Sequence, residues 1–287
     1  IAMYNMHFLT ILVGIPISIC IYLNAEIISK LFIKDPSVLP LCIDYVKYGA
    51  IGIYFNLAYF VFVGFFIGIE KSSIHMTCTI LSNLMNVYLN CALIFGIEKI
   101  DFFLNSINLG FLSFAWSWYS FPELGVKGAA IATVIASMFS VLISALYLLN
   151  RKIKLKFQTH RPKLNFIMLK TQIRLAYPMF FQELSGSFVF ALIYKLFALI
   201  GTIELAVSQI ILQVMHASFM PAIGLGQSCS TLVGKYLGKQ NQHAAKIAMI
   251  ESLRGSLIIM GTMGCIFVLF PKYIISLITY QQELIDN

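Results

Sequence analysis

Long apolar runs separated by short polar stretches fill the chain. Seven reach the roughly 20 residues that a helix needs to cross a ~30 Å hydrocarbon core. They are residues 7–32, 45–69, 73–97, 126–149, 176–201, 203–234 and 256–280. Pro16 falls inside the first, which membrane helices tolerate because neighbouring groups re-satisfy the freed backbone. Residues 239–254, KQNQHAAKIAMIESLR, place Ala244, Ile247, Ala248 and Leu253 among polar groups at helical spacing. That predicts a separate short interfacial helix before the seventh run, with His243 solvated. The pattern defines an all-α polytopic membrane protein of about seven transmembrane helices.

Composition agrees. Hydrophobic residues make up 59% and charged residues 11%, with a mean hydropathy of +0.85. A soluble domain carries about 25% charged residues. The formal net charge of +8 does not indicate a nucleic-acid partner, because the excess lies between apolar runs, where positive-inside bias puts it. Residues 151–174 hold Arg151, Lys152, Lys154, Lys156, Arg161, Lys163, Lys170 and Arg174 and no acid, the strongest cytoplasmic signal. After the sixth run Lys235, Lys239, Lys246 and Arg254 stand against Glu251, on the same predicted side. Stretches 30–47 and 98–127 mix both signs and are expected outside. The predicted division is 1–150, four spans; 151–174, a basic cytoplasmic loop; and 175–287, three spans.

Trp116 and Trp118 fall in the long loop 98–127 with Phe111, Phe114, Tyr119 and Phe121, and read as headgroup-level anchors. The six cysteines are scattered without metal-ligand spacing and read as small packing residues. No charged n-region precedes the first run, and the chain stops soon after its last. A piece of a longer protein is expected.

Several runs carry polar stripes. Positions i, i+4, i+7 and i+11 share a helix face. In the third run that face holds Thr79, Asn83, Asn86 and Asn90; in the sixth, Gln209, Gln213, His216 and Met220; in the fifth, Glu183, Ser187 and Tyr194. Amides facing lipid would go unsatisfied, so these faces turn inward and predict a solvated cavity. Glu183 is the decisive residue. An ionisable group well inside a span costs at least ~2.5 kcal/mol on insertion scales and marks a functional site. Its carboxyl can bind and release a proton, coordinate Na⁺ with amide and hydroxyl oxygens nearby, or attract a cationic substrate. Lys195, twelve residues on and on another face, is expected to snorkel to the outer interface.

At this level the residues resemble a family. GVKGAAIATVIAS (125–137), NLMNVYLNCALIFG (83–96), YPMFFQELSGSF (177–188) and PAIGLGQSCSTLVGKYLG (221–238) are similar, in order, to segments of the multidrug and toxic compound extrusion (MATE) transporters. The resemblance implies a twelve-helix fold of two six-helix lobes, of which this chain covers about helices three to nine. It implies coupling-cation roles for Glu183, Asn86, Asn90 and Thr133, the last three in an amino-lobe site. Some relatives have Asp where this chain has Asn90. Asn83, Ser187, Tyr194, Gln209, Gln213 and His216 are expected to line the substrate cavity.

The implied function is secondary active efflux of lipophilic or cationic small molecules by H⁺- or Na⁺-coupled antiport. No cofactor beyond the coupling ion and no metal is expected, apart from Na⁺ at Glu183. The expected state is a monomer in the lipid bilayer of the plasma (bacterial inner) membrane. A lipid-linked oligosaccharide flippase is the alternative within the superfamily; a cleft rich in Lys and Arg would favour it. A seven-helix receptor is the alternative from another class, though no Asp-Arg-Tyr or Asn-Pro-x-x-Tyr motif appears. An enzyme is not expected: only Glu183 sits clearly inside a span, so no acid–base pair can be assembled.

Overall fold

A computed structural model describes residues 1–33, 35–106, 108–159 and 163–270. It divides into two compact units, Ile1–Thr171 and Gln172–Asn287. Seven of its helices are long and apolar enough to cross a membrane.

The first unit contains α1 (Ala2–Leu23), α2 (Ala25–Phe32), α3 (Leu39–Gly68), α4 (Ser72–Asn90), α5 (Gly96–Ser106), α6 (Val126–Leu148) and α7 (Arg151–Phe157). The apolar run 7–32 is not one helix. At Asn24 the backbone leaves helical geometry, and the Asn24 amide donates back to the Cys20 carbonyl at 2.8 Å. The side chain thus adds a second donor to a carbonyl that already accepts from Asn24 N at 3.0 Å. The charged Glu26 and Lys30 then fall on the short α2, paired at 2.5 Å.

Helix α3 packs between α1 and α6, and α4 packs on α6. Lipid is as apolar as leucine, so membrane helices associate by close packing of small residues. Helix α6 follows this rule: its buried positions are Gly128, Ala130, Ala132, Val134, Ala136, Ser137, Ser140 and Ser144. At Gly128 a side chain is excluded, because a Cβ would lie 2.2 Å from the Leu93 carbonyl oxygen. That carbonyl belongs to a π-helical turn, Cys91–Phe95, which closes α4 and also accepts from Leu124 N at 2.9 Å. Gly96 ends the turn at φ +71, a left-handed conformation that glycine adopts without strain.

A second core gathers Met3, Phe62, Phe66 and Ile153 at the opposite end of the bundle. Ile153 lies on α7, so the stretch 151–174, read from sequence as a loop, is largely helical. It holds α7 and the first turns of α8 (Phe166–Ile200). Ile153 and Phe157, four residues apart, give α7 one apolar face; Phe157 meets Phe65 edge-on at 6.1 Å.

The second unit contains most of α8, α9 (Thr202–Gly238) and α10 (Gln242–Leu269), with α10 packed on α9. Pro178 and Pro221 lie inside α8 and α9 without ending them. The separate interfacial helix expected at 239–254 does not form. The Asn241 side chain caps Ala244 N at 3.0 Å, and one helix runs on to Leu269. Gly255, Gly261 and Gly264 lie within it without ending it, and Glu251 and Arg254 pair on its surface at 2.7 Å. The last part of the seventh predicted run, 271–280, lies outside the described residues.

Candidate functional site

Each unit has its own cavity. In the first, α3, α4 and α6 enclose a chamber of about 230 Å³. Helix α3 contributes Asn56 and Tyr59; α4 contributes Thr79, Ser82, Asn83 and Asn86; α6 contributes Thr133, Ser137 and Ser140. Ala136 is the one apolar residue of the lining. The face read from sequence on α4 therefore does turn into the unit, because amides find partners there and not in lipid.

The chamber's hydrogen bonds run in one direction. The Asn90 amide donates to Asn86 Oδ1 at 2.9 Å, and the Asn86 amide donates to Thr133 Oγ1 at 3.5 Å. The Thr133 hydroxyl then donates to the Ala129 carbonyl at 3.0 Å. This chain leaves Asn90 Oδ1, one turn beyond the chamber lining, buried and without a donor. A buried carbonyl oxygen without a partner costs about 1–3 kcal/mol, and a cation or a proton carrier would satisfy it. Deeper in the unit, Ser82 donates to the Ala136 carbonyl at 2.8 Å, and Ser140 meets Ser82 at 2.5 Å. Tyr59 contacts Thr79 Oγ1 at 2.8 Å and His75 Nδ1 at 3.1 Å.

The second unit's cavity lies between α8 and α9 and measures about 1140 Å³. Its walls include Phe190, Met215, Phe219 and Ile223, and its polar groups are Ser187, Tyr194, Gln209, Gln213 and His216. Apolar walls with a few placed polar groups are the usual character of a small-molecule pocket. Five of the six residues expected to line a substrate cavity meet here. The sixth, Asn83, lines the first unit's chamber instead.

Glu183 lies on α8 one turn before Ser187, exposed and outside the cavity lining. The four residues to which the resemblance gave a cation role thus divide between the units. Asn86, Asn90 and Thr133 form one hydrogen-bonded group, and Glu183 stands in the other unit.

Sequence reasoning missed Asn56, Tyr59, Ser137 and Ser140. Asn56 was legible as the one amide in an otherwise apolar run, with Tyr59 three residues on along the same face. The aromatic loop is tied to α4 through Tyr88. Trp116 stacks on the Tyr88 ring at 5.2 Å, and Trp118 Nε1 donates to its hydroxyl at 2.7 Å.

By class this is a polytopic helical membrane protein with a polar-lined cavity in the first unit and a largely apolar one in the second. The family model described as MatE matches residues 1–92 and 178–287. The chain belongs to that family, the multidrug and toxic compound extrusion (MATE) transporters. It is therefore an integral membrane protein, of the inner membrane in bacteria, and not an enzyme.

Among similar proteins is the probable multidrug resistance protein NorM of Thermotoga maritima, 27% identical over 74% of this chain and 41% of that protein. Another is the probable multidrug resistance protein YoeA of Bacillus subtilis, 24% identical over 96% of this chain and 55% of that protein. The chain thus spans about half the length of the curated relatives it matches. Two solved structures share the fold. One is a MATE protein in complex with MaD3S, with a TM-score of 0.78 and 19% identity over 99% of this chain and 60% of that one. The other is a MOP superfamily transporter from Pyrococcus furiosus, with a TM-score of 0.77 and 18% identity over 99% and 59%.

Proposed function

We propose that the protein containing this chain exports lipophilic or cationic small molecules in exchange for H⁺ or Na⁺ by alternating access. The observation that carries the reading is the one-way relay Asn90–Asn86–Thr133, which has at its head a buried carbonyl oxygen, Asn90 Oδ1, with no donor. That oxygen is the type of group a hard cation binds. In this reading the coupling ion engages Asn86, Asn90 and Thr133 in one half and Glu183 in the other. The substrate occupies the apolar α8–α9 cavity, oriented by Ser187, Tyr194, Gln209, Gln213 and His216. The two halves rock to expose the sites alternately, as in transporters built from repeats. Among the described residues neither cavity lining holds Lys or Arg, so a pyrophosphate-linked lipid would find no counter-charge from them. The acting unit is a monomer, and the coupling ion is the sole cofactor.

Dye efflux tests this. The whole protein is placed in proteoliposomes loaded with a fluorescent lipophilic cation, and H⁺ or Na⁺ gradients are imposed. Gradient-driven efflux is expected, reduced about tenfold or more in Glu183→Gln, as for loss of a charged contact. Equal efflux from both proteins would remove Glu183 from the coupling role. No efflux from either would overturn the export reading.

A further inference from the structure

The chain holds 20 Lys and Arg against 12 Asp and Glu, a formal net charge of +8. The stretch 151–174 carries eight of those cations and no acid, so the whole of the net charge resides there. Outside it the remaining cations and acids cancel. This stretch joins α6 to α8.

The segment is not a loose tether. Asn150 caps α7, its side chain accepting from Lys152 N at 3.0 Å. Ile153 is buried among Met3, Phe62 and Phe66, and Phe157 packs on Phe65. Gln158 takes a left-handed conformation, φ 51, that ends the helix. Tyr4 of α1 donates to the Thr159 carbonyl. The buried Asn5 then holds both backbone groups of Asn165 at 3.0 Å, and Asn165 in turn caps α8 through Met168 N. The strap is thereby pinned along one side of the first unit.

Its other side is amphipathic. With Ile153 buried and Phe157 lying half-covered against Phe65, Arg151, Lys152, Lys154 and Lys156 are exposed around α7. Leu155, on the face opposite Ile153, is 62% exposed in their midst. Lys163 and Lys170 follow, both exposed, with Phe166 and Ile167 uncovered between them. Cations alternating with bare apolar side chains would gain nothing from a purely aqueous setting. At the headgroup boundary both kinds of group are satisfied, cations by phosphates and apolar groups by acyl chains.

We infer that the described parts of the strap, 151–159 and 163–170, are a docking surface for anionic glycerophospholipid, with α7 lysines on the phosphodiester and Leu155, Phe166 and Ile167 entering the acyl boundary. A basic residue beside an anionic leaflet contributes about 1 kcal/mol, roughly fivefold in affinity, and the effect is screened by salt.

Native mass spectrometry of the intact protein, titrated with phosphatidylglycerol or phosphatidylcholine, tests it. Selective retention of phosphatidylglycerol is expected. The triple variant Lys152→Gln, Lys154→Gln, Lys156→Gln should lose at least about tenfold of that affinity, whereas the triple Lys→Arg variant should keep it. Leu155→Gln, with all charges intact, should also weaken it. Equal retention of the two lipids would overturn the inference, as would unchanged phosphatidylglycerol affinity in the Gln triple. Competition by inorganic phosphate as effective as by the lipid would show a free-anion site instead and would equally sink the lipid assignment. Capture of an acidic peptide by the lysines without lipid selectivity would do the same.

Discussion

At Asn90 a single nitrogen-for-oxygen difference sets the character of the first unit's chamber. An aspartate there would place a carboxylate at the head of the relay; the amide leaves a neutral carbonyl oxygen, buried and unanswered. Asn90→Asp should therefore destabilise the protein by about 1–3 kcal/mol at neutral pH without a cation. A bound cation would restore it in proportion to RT ln(1 + [L]/Kd), about 2.7 kcal/mol at 100 times Kd. Melting curves with and without Na⁺, at acid and neutral pH, check this. A variant that melts like the parent under every condition would mean that Asn90 does not sit at a cation position. The residues of this site differ in how openly the sequence shows them. Asn83, Asn86 and Asn90 are plain because amides on one stripe of an apolar helix have no use in lipid. Ser137 and Ser140 are hidden because serine in an alanine-rich helix is as common in packing as in binding. Gly128 is hidden too, since its reason is the Leu93 carbonyl of another helix.

Among the elements, the membrane spans were legible because twenty apolar residues have few other places to go, but their ends were not. Asn24 splits the first run, and Asn241 starts α10 a dozen residues earlier than its apolar part. In both places one asparagine side chain decides, through a hydrogen bond that hydropathy does not register. The joint between α7 and α8 is a third such case. Asn5 on α1 is fully buried and accepts from Asn165 N while donating to Asn165 O. Asn5→Ala would take the side-chain partner from Asn165 N, while Asn165 O keeps its bond from Leu169 N at 2.9 Å, a loss of about 0.5–1.5 kcal/mol. The expected result is faster protease cleavage between residues 158 and 166, with the spans intact. Cleavage at the parental rate would show that the strap is held without this clamp.

For the molecule as a whole, the two cavities lie in different units and differ in kind. One is about 230 Å³ and almost wholly polar; the other is about 1140 Å³ with largely apolar walls. An ion suits the first and a drug-sized molecule the second. The sequence announced both sets of polar residues, because helical periodicity reports which way a residue faces within its helix; it does not report which helices meet. An ion bound in one and a substrate in the other would give separable phenotypes. Ala222 lines the α8–α9 cavity, and Ala222→Trp would fill part of it. Binding of a bulky fluorescent lipophilic cation should weaken about tenfold or more, since overpacking costs about 1–3 kcal/mol. A small quaternary ammonium should lose less, and cation-dependent melting should be unchanged. Fluorescence polarisation for the ligands and thermal melts for the ion measure the two effects on one preparation. If the variant lost ion-dependent stabilisation together with dye binding, ion and substrate would share a site, and the division of labour between the two units would be wrong.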